Sequence, residues 1–335
     1  MKIIPVASGK GGVGKTTLAL NLALALSRRY KTVLIDLDAG TSSLRNFLEM
    51  KINQDIYHFL KKDVPIEKCL VPLDRSLDPE QQFAGFRMIA SPKNFISEIV
   101  NLDGPLKMKL ARGINQLQAD YVIMDIKAGL DSHVLEFLPI NNTGILIFTP
   151  QMKAAISTAV ELVRAILLRV CRICLSQKAS RMTFRDILRE KDFQVLNSLI
   201  DRLEDSYNRR IKNFDDFFLE VEKRFPYSVI ISQLKQFITR FRVYFVLNQF
   251  NGVEESAENI IKPFMEKLNQ MVSSDIMITN LGWVIFDEEI RRSSEDGLPY
   301  LVMQQYRREP EMSAEDRLDA KLRELVGLDT QKHEP

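Results

Sequence analysis

The sequence ASGKGGVGKTTLALNLALALS, Ala7 to Ser27, decides the fold. Gly9 to Thr16 matches G-x-x-x-x-G-K-[ST], a phosphate-binding loop. Its glycines let successive backbone amides turn inward and form a nest for an anion. Lys15 adds a point charge for β- and γ-phosphates, and the Thr16 hydroxyl suits Mg2+. Thr17 to Ser27 follows as a helix whose positive dipole end faces the phosphates. Upstream, KIIPVAS (Lys2–Ser8) is apolar and reads as a first strand rather than a signal peptide. Strand, loop and helix stand in the order such a loop requires. Gly11, Gly12, Val13, Gly14, Lys15, Thr16 and Thr17 are therefore assigned to nucleotide binding.

Lys10 is a second ammonium on the same loop, five residues before Lys15. Only one lysine follows the loop into the phosphate pocket. The other is free to reach outward across the loop, or simply to sit in solvent. The run GKGGVGKTT (Gly9–Thr17) resembles the deviant Walker A motif of the MinD/ParA family of dimerising ATPases. The resemblance implies that Lys10 reaches the nucleotide of a partner subunit and stabilises charge that develops there. A cation supplied across an interface makes hydrolysis conditional on dimer formation.

Further along, KTVLIDLDAGTSSLRNFL holds a buried parallel strand, Thr32–Ile35, followed by Asp36-Leu37-Asp38. Ligands in open α/β sheets sit at the carboxyl ends of strands, where carboxylates facing phosphate need a metal or a water between them. One or both aspartates could instead cap the next helix. By resemblance to the family's first switch, Asp38 orients the attacking water and Asp36 lies near the Mg2+ shell. Tyr121–Met124 is a strand leading to Asp125, a Walker B-type aspartate expected to hold Mg2+ through water. Lys127 departs from the proline or glycine usual in the family's second switch. Gly144–Pro150 and Val243–Phe250 read as further strands. Asn248 resembles the family's adenine-reading asparagine, although an asparagine at a strand end is often a turn residue. LGWVIFDEEIRRSSEDGLPYL (Leu281–Leu301) resembles the family's last strand and helix. Within the family the likeness is to MinD-like regulators of flagellar number.

The resemblance implies an α/β P-loop NTPase fold of the SIMIBI type: a mostly parallel sheet flanked by helices, spanning 1–310. About ninety residues separate Pro150 from Val243, more than a crossover helix needs. The surplus, about 171–239, reads as a helical insertion. Within it Val195, Leu196, Leu199, Ile200 and Leu203 share one helical face. From Arg169 to Arg242 there are sixteen Lys/Arg against ten Asp/Glu, an excess of six, while the whole chain carries +2. That surface is either a solvated cap or a docking site for an acidic activator or effector. Nucleic acid gains little support without interleaved aromatics.

The remaining 311–335 is an acidic helix or tail. From Glu309 to Glu334 eight acids face four bases, a poor match to anionic lipid. No apolar run approaches the ~20 residues that span a bilayer, and three cysteines make no disulfide framework, so a cytoplasmic location is expected. Cys171 and Cys174 form C-x-x-C, read as core residues first and as cluster ligands second. His58, His133 and His333 are scattered, without metal-ligand spacing. The expectation is a dimerisation switch that binds ATP and Mg2+, hydrolyses ATP slowly alone and faster with a partner, and positions a division site, flagella or DNA cargo. The rivals are a metabolic or iron–sulfur-maturation ATPase on the same fold, and a binding module without turnover.

Overall fold

Runs of valine, isoleucine and leucine without polar alternation form strands covered on both faces, and they build the central sheet. The computed structural model describes residues 1–38, 43–48, 51–130, 132–139, 141–150, 152–175, 190–205, 207–226, 228–250 and 257–306. In chain order, β1 (Lys2–Ala7) leads through the glycine loop into α1 (Lys15–Ser27), and β2 (Thr32–Asp36) precedes the short α2 (Ser43–Leu48). Next come α3 (Ile56–Lys62), β3 (Val71–Pro72), β4 (Phe86–Ile89), α4 (Ser97–Val100) and α5 (Gly104–Gln116). Then follow β5 (Tyr121–Asp125), α6 (Ser132–Leu135), β6 (Asn142–Phe148) and α7 (Lys153–Cys174). After the insertion come β7 (Arg242–Phe250), a helix at Lys262–Met271, β8 (Met277–Ile285), and helices at Glu288–Glu295 and Tyr300–Tyr306.

The strand order is β3-β4-β2-β5-β1-β6-β7-β8, and every pairing is parallel except β3 with β4. The mostly parallel α/β sheet expected from the motifs is present. Register places Asp125 of β5 beside Val6 of β1 and Asp36 of β2. Three strand ends thus converge where the phosphate-binding loop leaves β1. β6 starts two residues earlier than its apolar run suggests. Gly144 lies inside it at φ +64°, where a Cβ would come 2.5 Å from the Pro5 carbonyl oxygen. The strand passes β1 too closely there for any side chain, and its pairing with β7 shifts register at the same place.

α7 runs without a break to Cys174, so the expected start of the insertion near 171 falls in its last turn. Beyond it lie three helices, Glu190–Glu204, Phe214–Arg224 and Val229–Arg240. Leu196, Leu199, Ile200 and Leu203 are buried as the periodicity requires, while Val195 is only half-buried. Phe214 and Phe217 are fully buried and belong to the same continuous core as the sheet. The Phe214 amide donates to the Val272 carbonyl (2.8 Å), and Ser273 donates to Asp215 (2.6 Å), tying the insertion to the segment before β8. The acidic tail at 311–335 lies outside the described residues. No helix among the described residues is long and apolar enough to cross a membrane.

Candidate nucleotide site

The loop between β1 and α1 owes its shape to glycine. Gly12 and Gly14 adopt φ of +78° and +85°, a region that turns backbone amides inward and that L side chains resist. A Cβ on Gly14 would also lie 2.2 Å from the Asn248 amide nitrogen. Gly9 is constrained differently: a Cβ there would meet the Thr158 carbonyl oxygen at 2.6 Å, so the loop lies directly on α7.

The two lysines occupy different environments. Lys15 is 7% exposed, and its Nζ donates to Asp125 Oδ1 at 2.5 Å. The Thr16 hydroxyl donates to Asp125 Oδ2 at 2.7 Å. Asp125 is fully buried at the end of β5. Burial pushes its carboxyl upward, against the Lys15 ammonium and the Thr16 hydroxyl, which favour the charged form. Lys10, by contrast, is exposed on the rim, its carbonyl receiving the Ser8 hydroxyl at 2.8 Å.

Asp36 is fully buried next to this pair. Its Oδ2 accepts the Ser91 hydroxyl (2.8 Å) and its Oδ1 accepts the Asp38 amide (3.0 Å). Burial and then the Asp125 charge push its carboxyl up to about 7, with the two hydrogen bonds pulling the other way. Asp38 is half-buried and lines the cavity described next. The loop after Asp38, through residue 42, lies outside the described residues, as does Asp131 of the second switch. Lys127 is half-buried, and the Gly129 amide donates to the Ser8 carbonyl (3.0 Å), so the segment after Asp125 is fastened to the phosphate-binding loop.

A cavity of about 860 Å3 opens above the loop. Lys10, Gly11, Gly12, Gly14, Lys15, Thr16, Thr17, Asp38 and Asn248 all line it. Val13, Asp36 and Asp125 are not among its lining residues. The Val13 side chain is buried in the core and its carbonyl accepts the Asn248 amide at 2.8 Å. Asn248 therefore clamps the end of β7 onto the loop with one of its N–H groups.

The far wall of the cavity comes from the C-terminal segment: Phe286, Ile290, Arg291 and Tyr300. Motif reading did not single out these residues. One signal was visible, because Asn21 interrupts the apolar run of α1. Its Oδ1 accepts the Leu301 amide at 3.0 Å, holding that wall against the phosphate-binding helix. Cys171 is buried and Cys174 exposed at the end of α7, and burial raises both thiols. Among the histidines, His58 pairs with Asp55 (2.8 Å) away from the cavity lining; the His133 side chain and His333 lie outside the described residues.

The residues fit a nucleotide carried with a divalent cation. Two left-handed glycines shape a loop that would cradle an anion, and a buried ammonium and a hydroxyl sit at the helix start, beside hard carboxylate oxygens. Among the described residues no group of three or more His, Cys, Asp or Glu forms a cage for a metal.

Comparison with known proteins agrees. The septum site-determining protein MinD of Synechocystis is 31% identical over 156 residues, 46% of this chain and 55% of that protein. The flagellum site-determining protein YlxH of Helicobacter pylori is 25% identical over 228 residues, 63% of this chain and 70% of that protein. This chain spans about half the length of the curated MinD relatives it matches. The fold is similar to that of Pyrococcus horikoshii MinD, solved with Mg-ADP, with a TM-score of 0.52 at 16% identity over 99% of both chains. Residues 4–300 match the model of the CobQ/CobB/MinD/ParA nucleotide-binding domain. With the match covering most of its length and the glycine loop, Lys15 and Thr16 in place, the chain belongs to the CobQ/CobB/MinD/ParA family of nucleotide-binding domains.

Proposed function

We propose that this chain binds ATP with Mg2+ and acts as a dimerisation switch, with hydrolysis releasing the two subunits. Its two lysines carry the reading. Lys15 is buried on Asp125 and lines the cavity, which supports a role at the β- and γ-phosphates, while Lys10 stands exposed on the rim of the same cavity. A second copy facing the cavity would receive Lys10 at its own nucleotide. Exposed Ile285 and Phe286 line the cavity too, giving such a face apolar surface to bury. A two-fold dimer would use the same patch on both chains.

In this reading Gly11, Gly12, Val13, Gly14 and Thr17 hold phosphates through backbone amides, and Asn248 borders the base. Thr16, with Asp125 and Asp36 acting through water, would hold Mg2+, whose charge neutralises the phosphates. Asp38 orients the attacking water. Lys15 and Thr16 now share Asp125 as partner, and a triphosphate offers both a stronger acceptor. The residues from Asp36 to Ser43 and from Asp125 to Asp131 sense the γ-phosphate. The names of the relatives, one determining a septum site and one a flagellum site, support a role in placing or counting a cellular assembly from the cytoplasm. An activator or effector would dock on the basic insertion.

ATP turnover and solution mass test the proposal together. Wild type should turn over slowly and become dimeric with ATP. Lys10→Ala and Asp38→Ala should both lose turnover while still binding ATP, with Asp38→Ala held as a dimer. Unchanged turnover in Lys10→Ala would remove the lysine from the chemistry.

A further inference from the structure

Arg45 lies in the stretch that resembles the first switch and has no role assigned above, yet it joins three elements beside the nucleotide site. It lies in α2, seven residues after Asp38. Its Nη2 donates to Asp55 Oδ2 at 2.8 Å and to the Ser91 carbonyl at 3.1 Å, and its Nε reaches the same carbonyl at 3.3 Å. The Arg45 and Asp55 side chains are 14% and 10% exposed, so the pair is largely desolvated. Asp55 caps α3, accepting the Tyr57 amide (3.1 Å) and pairing with His58 Nδ1 (2.8 Å). Just ahead of Ser91, the Ala90 carbonyl accepts the Ile56 amide (3.1 Å), closing the knot between α3 and the end of β4.

Ser91 is fully buried and bonded on both sides. Its carbonyl receives Arg45, and its hydroxyl donates to Asp36 Oδ2 at 2.8 Å. A continuous path therefore runs from the helix after the Asp38 loop, through Arg45 and Ser91, to the carboxylate beside Asp125. We propose that Arg45 is a positioning residue: acting through Ser91, it sets where Asp36 stands toward the divalent cation, and so couples α2 to cation binding. This rests on the nucleotide-site reading above. The guanidinium fork is what the geometry needs, since it holds a carboxylate and a carbonyl at once; an ammonium is a point charge and cannot span both. Partners one step removed from a metal site commonly change metal affinity about 10- to 100-fold.

The test uses the full-length chain and a fluorescent ATP analogue, first in EDTA and then in an Mg2+ titration. In EDTA, phosphate contacts alone hold the nucleotide, and Arg45→Ala and Ser91→Ala should stay within about twofold of wild type. The Mg2+ concentration at half-effect should rise about tenfold in both variants, with Arg45→Lys in between. The double variant should be no worse than either single one, because both interrupt the same path. Ser91→Ala leaves the Arg45–Asp55 pair intact, so it reads the path even where Arg45→Ala lowers stability. An unmoved Mg2+ requirement in Ser91→Ala, or additive effects in the double variant, would overturn the inference while leaving the nucleotide site standing. A wild-type chain that binds no nucleotide at all would overturn the proposed function and this inference with it.

Discussion

Asp36 shows how burial sets the properties of one carboxyl. Held near 7, it binds its proton more tightly in the folded chain than in the unfolded one, where an aspartate titrates near 4. The stability this proton contributes is full below the unfolded value and is lost as pH rises through about 7. Asp36→Asn never ionises and avoids that loss. It should melt higher than wild type at pH 8, with the advantage shrinking toward pH 5; about 4 kcal/mol is the ceiling for a shift of this size. An equal gain at both pH values would show that the charge is not what burial penalises. The residues of the phosphate-binding loop were legible in the sequence because glycine, lysine and threonine at fixed local spacing dictate that chemistry. Ser91 and Arg45 were not legible, because their bonds join residues 55 and 46 positions apart and no local pattern announces them. Asn248 was legible as a candidate and lines the cavity, but its bond to the Val13 carbonyl, 235 positions away, was not legible.

At the scale of elements, the phosphate-binding loop packs directly on the backbone of α7. Gly9→Ala would drive a Cβ into the backbone of Thr158. Neither the loop nor a helix backbone gives way cheaply, so the substitution should lower stability by about 1–3 kcal/mol and weaken nucleotide binding. Gly11→Ala, with nothing within 4 Å of its Cβ, serves as the control and should melt like wild type. The insertion was legible as amphipathic helices but not as part of the main core. Periodicity shows that a helix has an apolar face and is silent on what covers it. Arg172 of α7 pairs with Glu204 (2.7 Å), and Phe214 and Phe217 pack into the core shared with the sheet. Truncating Phe217→Ala should cost about 3–5 kcal/mol and should shift one cooperative melting transition. A separate early transition confined to the insertion would show that it folds on its own.

Over the whole molecule, the exposed basic residues of the insertion and the exposed rim lysine call for separate tests. Arg209, Arg210 and Lys212 are exposed on the insertion. Reversing their charge should abolish binding of an acidic activator or of DNA while ATP binding is unchanged; partner binding that survives all three reversals would leave the insertion without its proposed role. The mostly parallel sheet was legible from the apolar runs and the family resemblance; its strand order and the antiparallel edge strand β3 were not, since no local pattern states which strands become neighbours. The wall formed by Phe286, Ile290 and Tyr300 was not, since it depends on how the chain's last described helices fold back over α1.

Complementation between two inactive variants tests the trans role of Lys10 most directly. Lys10→Ala keeps its own Asp38, and Asp38→Ala keeps a Lys10 to lend. On mixing equal amounts, half of the dimers formed are mixed, and each of those holds one complete site. Turnover should therefore recover to about one quarter of wild type from two proteins that are each inactive. A mixture that forms dimers with ATP and stays inactive would contradict the account.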